Sequence, residues 1–378
     1  MNTDKLDRFL DEMPLRGIPG CDLSVTRNGH EVYRRAVGYS DAEMKHPVDR
    51  DTLWWIFSAT KVLTCTAAMR LVEEGRLKLT DRVSDYLPAF GSLTVRQKDG
   101  TVVPAQEPMR IVHLFTMTGG MDYDTHAPEI LDAVAAGCTD TVSLCSAMAN
   151  RPLGFEPGTR YRYSLCHDVL AAVIEVVTGM KFSDYLHELM FEPLGMTDTG
   201  FRPTEEQLPR FAQAFEYNNA DGSIKPIAIG NDMFVPTPEY ESGGAGLFTT
   251  VDDYMKVITA LACDGTSPNG YVLLNPETIA EMEVNRLCPA AWKDFVAGRL
   301  FGYGWGLCGR VHVNPVRSLA RSSVGEFGWD GAQAAYAMVD RKTRTALYFG
   351  TQVGNCVYAY NVLHPTLRDL VFEMLDEK

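Results

Sequence analysis

The sequence lacks the features of a membrane or secreted protein. Its 378 residues contain no apolar run long enough to span a bilayer, and the first thirteen, MNTDKLDRFLDEM, are charged where a signal peptide would be apolar. Low-complexity stretches, internal repeats and linker-like segments are also missing. We therefore expect a soluble, cytoplasmic protein that forms one compact unit and has no membrane partner.

Several catalytic and metal-binding motifs are missing as well. The nine cysteines form no C-x-x-C pair and the eight histidines form no H-E-x-x-H pair, so we expect free thiols, no metal site and no cofactor. No G-x-S-x-G occurs, which argues against an α/β-hydrolase fold. Residues 304–309 fit G-x-G-x-x-G, but a strand-like run follows them instead of a helix, so they do not predict a dinucleotide site.

Positive charge is scarce. Against 49 acidic residues the chain has 35 lysines and arginines, which gives a formal net charge of −14 and a sequence pI of about 5.1. Such a field repels phosphate backbones, so nucleic acid is excluded as a partner and a small molecule is expected instead. The oligomeric state is not predicted.

Hairpin patterns stand near both ends of the chain. Residues 22–27 and 31–37 alternate around Asn28-Gly29, and residues 333–339 and 345–352 form two further β-like runs. Helical patterns precede the first hairpin and follow the second, and the intervening sequence is mostly helical. We predict an α+β fold: an antiparallel sheet flanked by terminal helices (residues 1–57 and 300–378), a helical lobe (58–299), and the active site between them.

Ser58-Ala59-Thr60-Lys61 is the only S-x-x-K in the sequence, and it begins the strongest helix prediction. A spacing of three puts both side chains on one face of the first turn, where Lys61 can take the proton that makes Ser58 a nucleophile. A serine N-cap followed by a solvent-exposed lysine explains the same letters. The apolar flanks, Trp54-Trp55-Ile56-Phe57 and Val62-Leu63, favour the catalytic interpretation.

Two further segments carry candidate groups. Tyr163 can relay a proton as general base toward Ser58, provided that Lys61 and a helix dipole lower its pKa; the alternative is a core tyrosine. Gly331 would let a carbonyl substrate lie against the following strand, and the N–H groups of Ala332 and Ser58 could bind an oxyanion. A plain turn before a strand is the alternative interpretation.

Together, in this order, these segments resemble the family of class C β-lactamases, penicillin-binding proteins, D-stereospecific peptidases and family VIII carboxylesterases. The resemblance covers nearly the whole chain, through residues 18–20, 38–39, 58–61, 74–77, 111–121, 163–164, 193–196, 243–247 and 329–332. It implies that Ser58 is acylated, that Lys61 is its partner and that Tyr163 is the catalytic base.

Two departures from the lactamase pattern favour the esterase branch. Leu165 stands where lactamases have the asparagine of Y-x-N, and Trp329 stands where they have the lysine or histidine of K/H-T-G. Both changes remove polar groups that would bind a β-lactam. With Trp329 in place of a cation and Asp330 beside it, we expect a pocket that favours neutral, moderately apolar acyl groups.

The sequence therefore predicts a serine hydrolase that cleaves a small carboxylic ester through an acyl-enzyme on Ser58. An acyltransferase that uses the same acyl-enzyme, a β-lactamase and a D-amino-acid peptidase remain as alternatives. An inactive binding protein of the same fold is the non-enzymatic alternative.

Overall fold

The computed structural model describes residues 1–228, 234–298 and 300–376. The predicted lobe boundary at residues 299 and 300 falls partly outside this range, and the division into two lobes stays a prediction. The strands are β1 (Gly20–Arg27), β2 (His30–Gly38), β3 (Trp54–Trp55), β4 (Thr94–Arg96), β5 (Val102–Pro104), β6 (Ala214–Tyr217), β7 (Ile224–Ile227), β8 (Phe248–Thr249), β9 (Tyr303–Trp305), β10 (Arg310–His312), β11 (Phe327–Gly328), β12 (Tyr336–Asp340), β13 (Thr345–Thr351) and β14 (Val353–Gly354).

The helices surround this set of strands. They are α1 (Asp4–Asp11), α2 (Thr60–Glu73), α3 (Ile111–Phe115), α4 (Pro128–Ala135), α5 (Thr141–Ala147), α6 (Cys166–Thr178), α7 (Phe182–Leu186), α8 (Glu192–Leu194), α9 (Val251–Ala262), α10 (Pro276–Met282), α11 (Pro289–Val296), α12 (Pro315–Ser318) and α13 (His364–Asp376). Within the described ranges, no helix is both long enough and apolar enough to cross a membrane.

A seven-stranded antiparallel sheet joins the two ends of the chain. Its strand order is β2-β1-β13-β12-β11-β10-β9, so the amino-terminal hairpin pairs directly with the carboxy-terminal one. The predicted α+β fold, with an antiparallel sheet and terminal helices, is confirmed. The prediction placed the start of β12 at residue 333, but the strand begins at Tyr336, and residues 329–335 form an irregular segment before it.

The two faces of the sheet belong to two different hydrophobic cores. In β1 the side chains of Cys21, Leu23 and Val25 face the core formed with α1 and α13. The alternate residues point the opposite way, and Thr26 hydrogen-bonds Thr259 of α9 at 2.8 Å. The larger core lies on this second side and contains the helical part of the chain.

Helix α2 runs through the middle of the larger core. Every residue from Thr60 to Met69 is buried, although the sequence includes four threonines or cysteines and one lysine. The threonine hydroxyls are hydrogen-bonded: Thr66 donates to the Val62 carbonyl of its own helix, and Thr64 donates to the Gly243 carbonyl at 2.7 Å. A lysine at the start of such a helix has no route to solvent, which prepares it for chemistry.

Candidate active site

Ser58 lies in a tight turn between β3 and α2. The turn spans Phe57–Ala59, and Phe57 has a φ of +44°, a left-handed conformation that costs a bulky residue about 1 to 3 kcal/mol. Burial of the Phe57 ring, which packs edge-on against Phe234 at 5.5 Å, holds this conformation in place. The strained residue therefore fixes the direction in which Ser58 leaves the turn.

The side chain of Lys61, three residues later, points at Ser58. Its Nζ lies 3.2 Å from Ser58 Oγ and 2.6 Å from the carbonyl oxygen of Gly244, and the side chain is fully buried. Burial lowers the pKa of Lys61 to about 7, although the nearby Asp168 carboxylate opposes this effect. At neutral pH a substantial fraction of Lys61 is therefore uncharged and able to accept a proton from Ser58.

Tyr163 completes the predicted group. Its hydroxyl hydrogen-bonds Ser58 and accepts a 3.0 Å hydrogen bond from the indole N–H of Trp329, and Lys61 Nζ lies 4.7 Å from its ring centroid. The expectation that its pKa is lowered is wrong, because burial raises the pKa of Tyr163 well above its ordinary value. The resting side chain is a neutral phenol.

A second tyrosine, Tyr123, was missed by the sequence analysis. Its ring stacks parallel to that of Tyr163 with centroids 5.4 Å apart, its hydroxyl hydrogen-bonds Ser58, and Lys61 Nζ lies 3.4 Å from the same hydroxyl. Residue 123 belongs to an irregular stretch without periodicity. The abundance of turn residues and aromatics around it was the only signal in the sequence.

Asp168 holds the loop that supports Lys61. It is fully buried, accepts hydrogen bonds from Tyr240 at 3.0 Å and Ser242 at 2.6 Å, and burial raises its pKa. A Cβ on Gly244 would lie 2.5 Å from Asp168 Oδ2 and 3.3 Å from Lys61 Nζ. Only glycine fits between the carboxylate and the lysine at this point.

The segment at residues 329–332 lines a cavity of about 440 Å³ together with Ser58 and Tyr163. A Cβ on Gly331 would meet the carbonyl oxygen of Ile56 at 2.6 Å, so this close approach requires glycine. The Gly331 N–H is used in a 2.8 Å bond to Ala335. Ala332 is exposed to the cavity, and within the described ranges no acceptor takes its N–H.

Leu165 was predicted to line the substrate pocket, and this prediction is wrong. The residue caps the start of α6, its side chain is 3% exposed, and it contacts a separate small cavity beside Met121 and Leu153. The start of the helix turns the side chain into the core, a direction that the Y-S-L spacing alone does not reveal.

The charge of the cavity also differs from the sequence-based expectation. Asp330 is not an isolated carboxylate, because Arg310 Nη1 lies 2.7 Å from its Oδ1. Arg310 is 3% exposed and lines the cavity, and so does Arg368. The expected preference for neutral acyl groups was based on the acid alone, whereas two buried cations from distant parts of the sequence line the same cavity.

The chain is similar to known proteins over most of its length. A sequence model described as Beta-lactamase matches residues 6–355. The chain belongs to the beta-lactamase family. In this family member, no cluster of three or more histidine, cysteine or acidic side chains within the described ranges is arranged to hold a metal ion.

The relatives of this beta-lactamase family member include enzymes of two kinds. It is 31% identical over 371 residues to Esterase EstB of Burkholderia gladioli, with 89% of this chain and 87% of the relative covered. It is 29% identical over 366 residues to Acyltransferase calJ of Penicillium decumbens, covering 88% and 83%. The solved structure of EstCE1, a hydrolase with promiscuous acyltransferase activity, matches with a TM-score of 0.81 at 25% identity and covers 98% of both chains.

Proposed function

We propose that this chain is a serine hydrolase that cleaves carboxylic esters through an acyl-enzyme on Ser58. The observation that carries the proposal is the 3.2 Å contact between Ser58 Oγ and a fully buried Lys61 whose pKa lies near neutrality. A free lysine is protonated at pH 7 and cannot accept a proton, whereas this one can. The similarity to Esterase EstB supports an ester as the substrate.

Acylation begins with neutral Lys61 as the base. As Ser58 Oγ attacks the ester carbonyl, its proton moves to Lys61 Nζ and the carbonyl becomes a tetrahedral oxyanion. The N–H groups of Ser58 and Ala332 can donate to this oxyanion, because Ser58 is the second residue of a helical turn and no acceptor in the described ranges takes the Ala332 N–H. Each such donor contributes about 3 kcal/mol to the transition state.

Tyr163 delivers the proton to the leaving group. Its raised pKa makes it a neutral phenol that can donate to the departing alkoxide while it takes the proton held by Lys61. The Trp329 indole donates to the phenol oxygen, which fixes the orientation of the hydroxyl. The alcohol then leaves, water enters, and the same groups act in reverse to release the acid and restore Ser58.

Active-site titration with a fluorophosphonate tests the proposal. Wild-type protein should be labelled once, at Ser58, and lose hydrolysis of a p-nitrophenyl acylate in proportion to labelling. Ser58→Ala should be neither labelled nor active. Ser146 donates its hydroxyl to the Val142 carbonyl of its own helix, and Ser146→Ala should behave as wild type. Absence of labelling in the wild type would support an inactive binding protein, and residual activity above about 1% in Ser58→Ala would indicate another nucleophile.

Acyl transfer is a second candidate, favoured by the similarity to Acyltransferase calJ. In this reaction an alcohol takes the acyl group from Ser58 in place of water. Incubation with an acyl donor and a panel of alcohols, followed by mass spectrometry, separates hydrolysis from acyl transfer. If the transacylated product exceeds the free acid, the protein is an acyltransferase.

We also propose a cytoplasmic location and a small-molecule ester as the only substrate class. All nine cysteines are free, which supports a reducing compartment. The cavity of about 440 Å³ that Ser58 and Trp329 line suits a small molecule better than a polymer. Cell fractionation with an antibody to the chain tests the location.

A further inference from the structure

The cavity that contains Ser58 extends to the first turns of α13. Asp330 and Arg310 line it, and so do Tyr336 and Arg368. Arg368 contacts Tyr303 and its neighbour Asp369, and no hydrogen bond in the described ranges links it to a residue that contacts Ser58. Arg368 and Tyr336 have no role in the reaction described above.

Arg368 keeps part of its guanidinium free. The residue is 6% exposed, its Nη1 donates to the Tyr303 hydroxyl at 2.7 Å, and its Nε donates to Asp369 at 2.9 Å. Nη2 has no hydrogen-bond partner in the part of the chain that the structure describes, and this atom is accessible to solvent. Its N–H groups therefore face the cavity that Arg368 lines.

A second unpartnered donor lies on the same wall. Tyr336 is 3% exposed and lines the cavity, and its hydroxyl likewise makes no hydrogen bond within the described ranges and is not enclosed. The Arg310 guanidinium lies over its ring, 4.6 Å from the centroid. Burial raises the pKa of Tyr336 to about 12, so the hydroxyl is a donor throughout the physiological range.

The charges on this wall favour an anion. Of the charged side chains that line the cavity in the described ranges, Arg310 and Arg368 are cations and Asp330 is the only acid. Two acids occupy Arg310, Asp330 at 2.7 Å and the buried Glu326 at 3.6 Å, so Arg368 is the cation with unused hydrogen-bonding capacity inside the cavity. Its partner Asp369 has a side chain that is 33% exposed, against 7% for that of Arg368.

We propose that Arg368 and the Tyr336 hydroxyl form a subsite for a carboxylate carried by the ester substrate, at a distance from the bond that Ser58 attacks. This inference rests on the proposed function and names its substrate class. The Asp330 carboxylate lines the same cavity as Ser58 and Arg368, so the segment that joins the ester to the carboxylate must be neutral. Because Arg368 makes no hydrogen bond to Ser58, we expect this segment to be several atoms long. The expected substrates are monoesters of dicarboxylic acids or esters of hydroxy acids.

Paired substrates test the subsite and locate the carboxylate. In the acyl arm, p-nitrophenyl hydrogen adipate and suberate are compared with their methyl esters and with p-nitrophenyl 6-aminohexanoate. In the alcohol arm, 6-acetoxyhexanoic acid is compared with its methyl ester. In one arm, kcat/KM for the acid should exceed that of the neutral ester by about tenfold, the effect of one charge-assisted hydrogen bond, and the ammonium compound should be poorest.

Variants connect the preference to the residues. Arg368→Gln should bring the acid-to-neutral ratio close to one, and Tyr336→Phe should reduce it about threefold. Arg321→Gln, which removes a half-exposed arginine near the end of α13, is the matched control and should keep the wild-type ratio. If Arg368→Gln does not fold, the Tyr336→Phe ratio and inhibition of neutral-ester hydrolysis by free adipate in the wild type decide the question.

The inference is overturned if neither arm shows a preference for the acid, or if Arg368→Gln folds and keeps the preference. Calorimetric titration of Ser58→Ala with monomethyl adipate and dimethyl adipate separates this result from failure of the proposed function. Tighter binding of the acid without any ester hydrolysis in the wild type would support the subsite and refute the esterase. Hydrolysis without acid preference would do the reverse.

Discussion

Replacing Lys61 by methionine is expected to abolish activity and to stabilise the fold at neutral pH. Burial lowers the pKa of this side chain from 10.5 to about 7. At neutral pH a substantial fraction of Lys61 is therefore a free amine in the folded protein, whereas Lys61 is protonated in the unfolded chain. At about 1.4 kcal/mol per tenfold change in proton affinity, this difference costs about 4 to 5 kcal/mol of stability below pH 7. Methionine has a similar shape and no such cost.

Part of that gain is lost with the hydrogen bonds. Without Lys61 Nζ the Gly244 carbonyl loses its hydrogen-bond donor, which costs about 1 to 3 kcal/mol of stability. The net gain in stability at pH 7 should therefore be about 2 kcal/mol. The sign follows from the lowered pKa: wild-type stability falls as pH drops from 10.5 toward 7. The advantage of Lys61→Met should therefore be full below pH 7 and disappear near pH 10.5.

Urea denaturation at pH 6.5 and pH 10 measures this effect. Lys61→Ala serves as the control, because it removes the same charge but leaves a cavity that costs about 2 to 5 kcal/mol. A Lys61→Met protein that is less stable than wild type at pH 6.5, or whose advantage is equal at the two pH values, would show that Lys61 is not held as a free amine. The proposed base would then have to be another group.

Four further predictions concern catalysis. The pH profile of kcat/KM for a p-nitrophenyl acylate should rise through an apparent pKa of about 7, since protonated Lys61 cannot act as base; a profile flat from pH 5.5 to 8.5 contradicts this. Lys61→Ala and Tyr163→Phe should each reduce kcat strongly, and the double variant should lose little more; additive losses would argue against one shared proton path. Short p-nitrophenyl esters should be hydrolysed much faster than nitrocefin, because Trp329 offers an indole where lactamases have a cation; equal or higher specificity for nitrocefin would favour a lactamase. Asp330→Asn should improve turnover of acyl groups that carry a carboxylate, because it releases the charge of Arg310 toward the cavity; unchanged ratios of acid to neutral ester would refute this.

The fold and the reacting pair could be predicted because local patterns specify them. The Asn28-Gly29 turn fixes the first hairpin, and both residues have positive φ, as the turn chemistry requires. Ser58 and Lys61 are three residues apart on one helical turn, so their contact needs no tertiary information.

The remaining parts of the site depend on contacts between distant segments. Tyr123 reaches Ser58 from an irregular stretch, and Arg310 and Arg368 enter the cavity from a short strand and the last helix. No periodicity predicts such positions. The pKa of Tyr163 could not be predicted either, because its direction depends on how completely the side chain is buried.

The pairing of β1 with β13 has a consequence for the synthesis of the chain. The partner of Arg27 is Thr345, more than 300 residues later, so the amino-terminal hairpin leaves the ribosome long before the strand that it needs. At 5 to 20 residues per second, translation leaves the β1 edge unpaired for about 15 to 60 s. During that time its apolar side chains and open backbone groups are available to other chains, which favours aggregation. Expression at low temperature, where unpaired apolar strands associate less, should therefore increase the yield of folded protein. Co-expression of a chaperone that shields such edges should do the same. Removal of β13 should leave the β1 edge of the hairpin permanently unpaired.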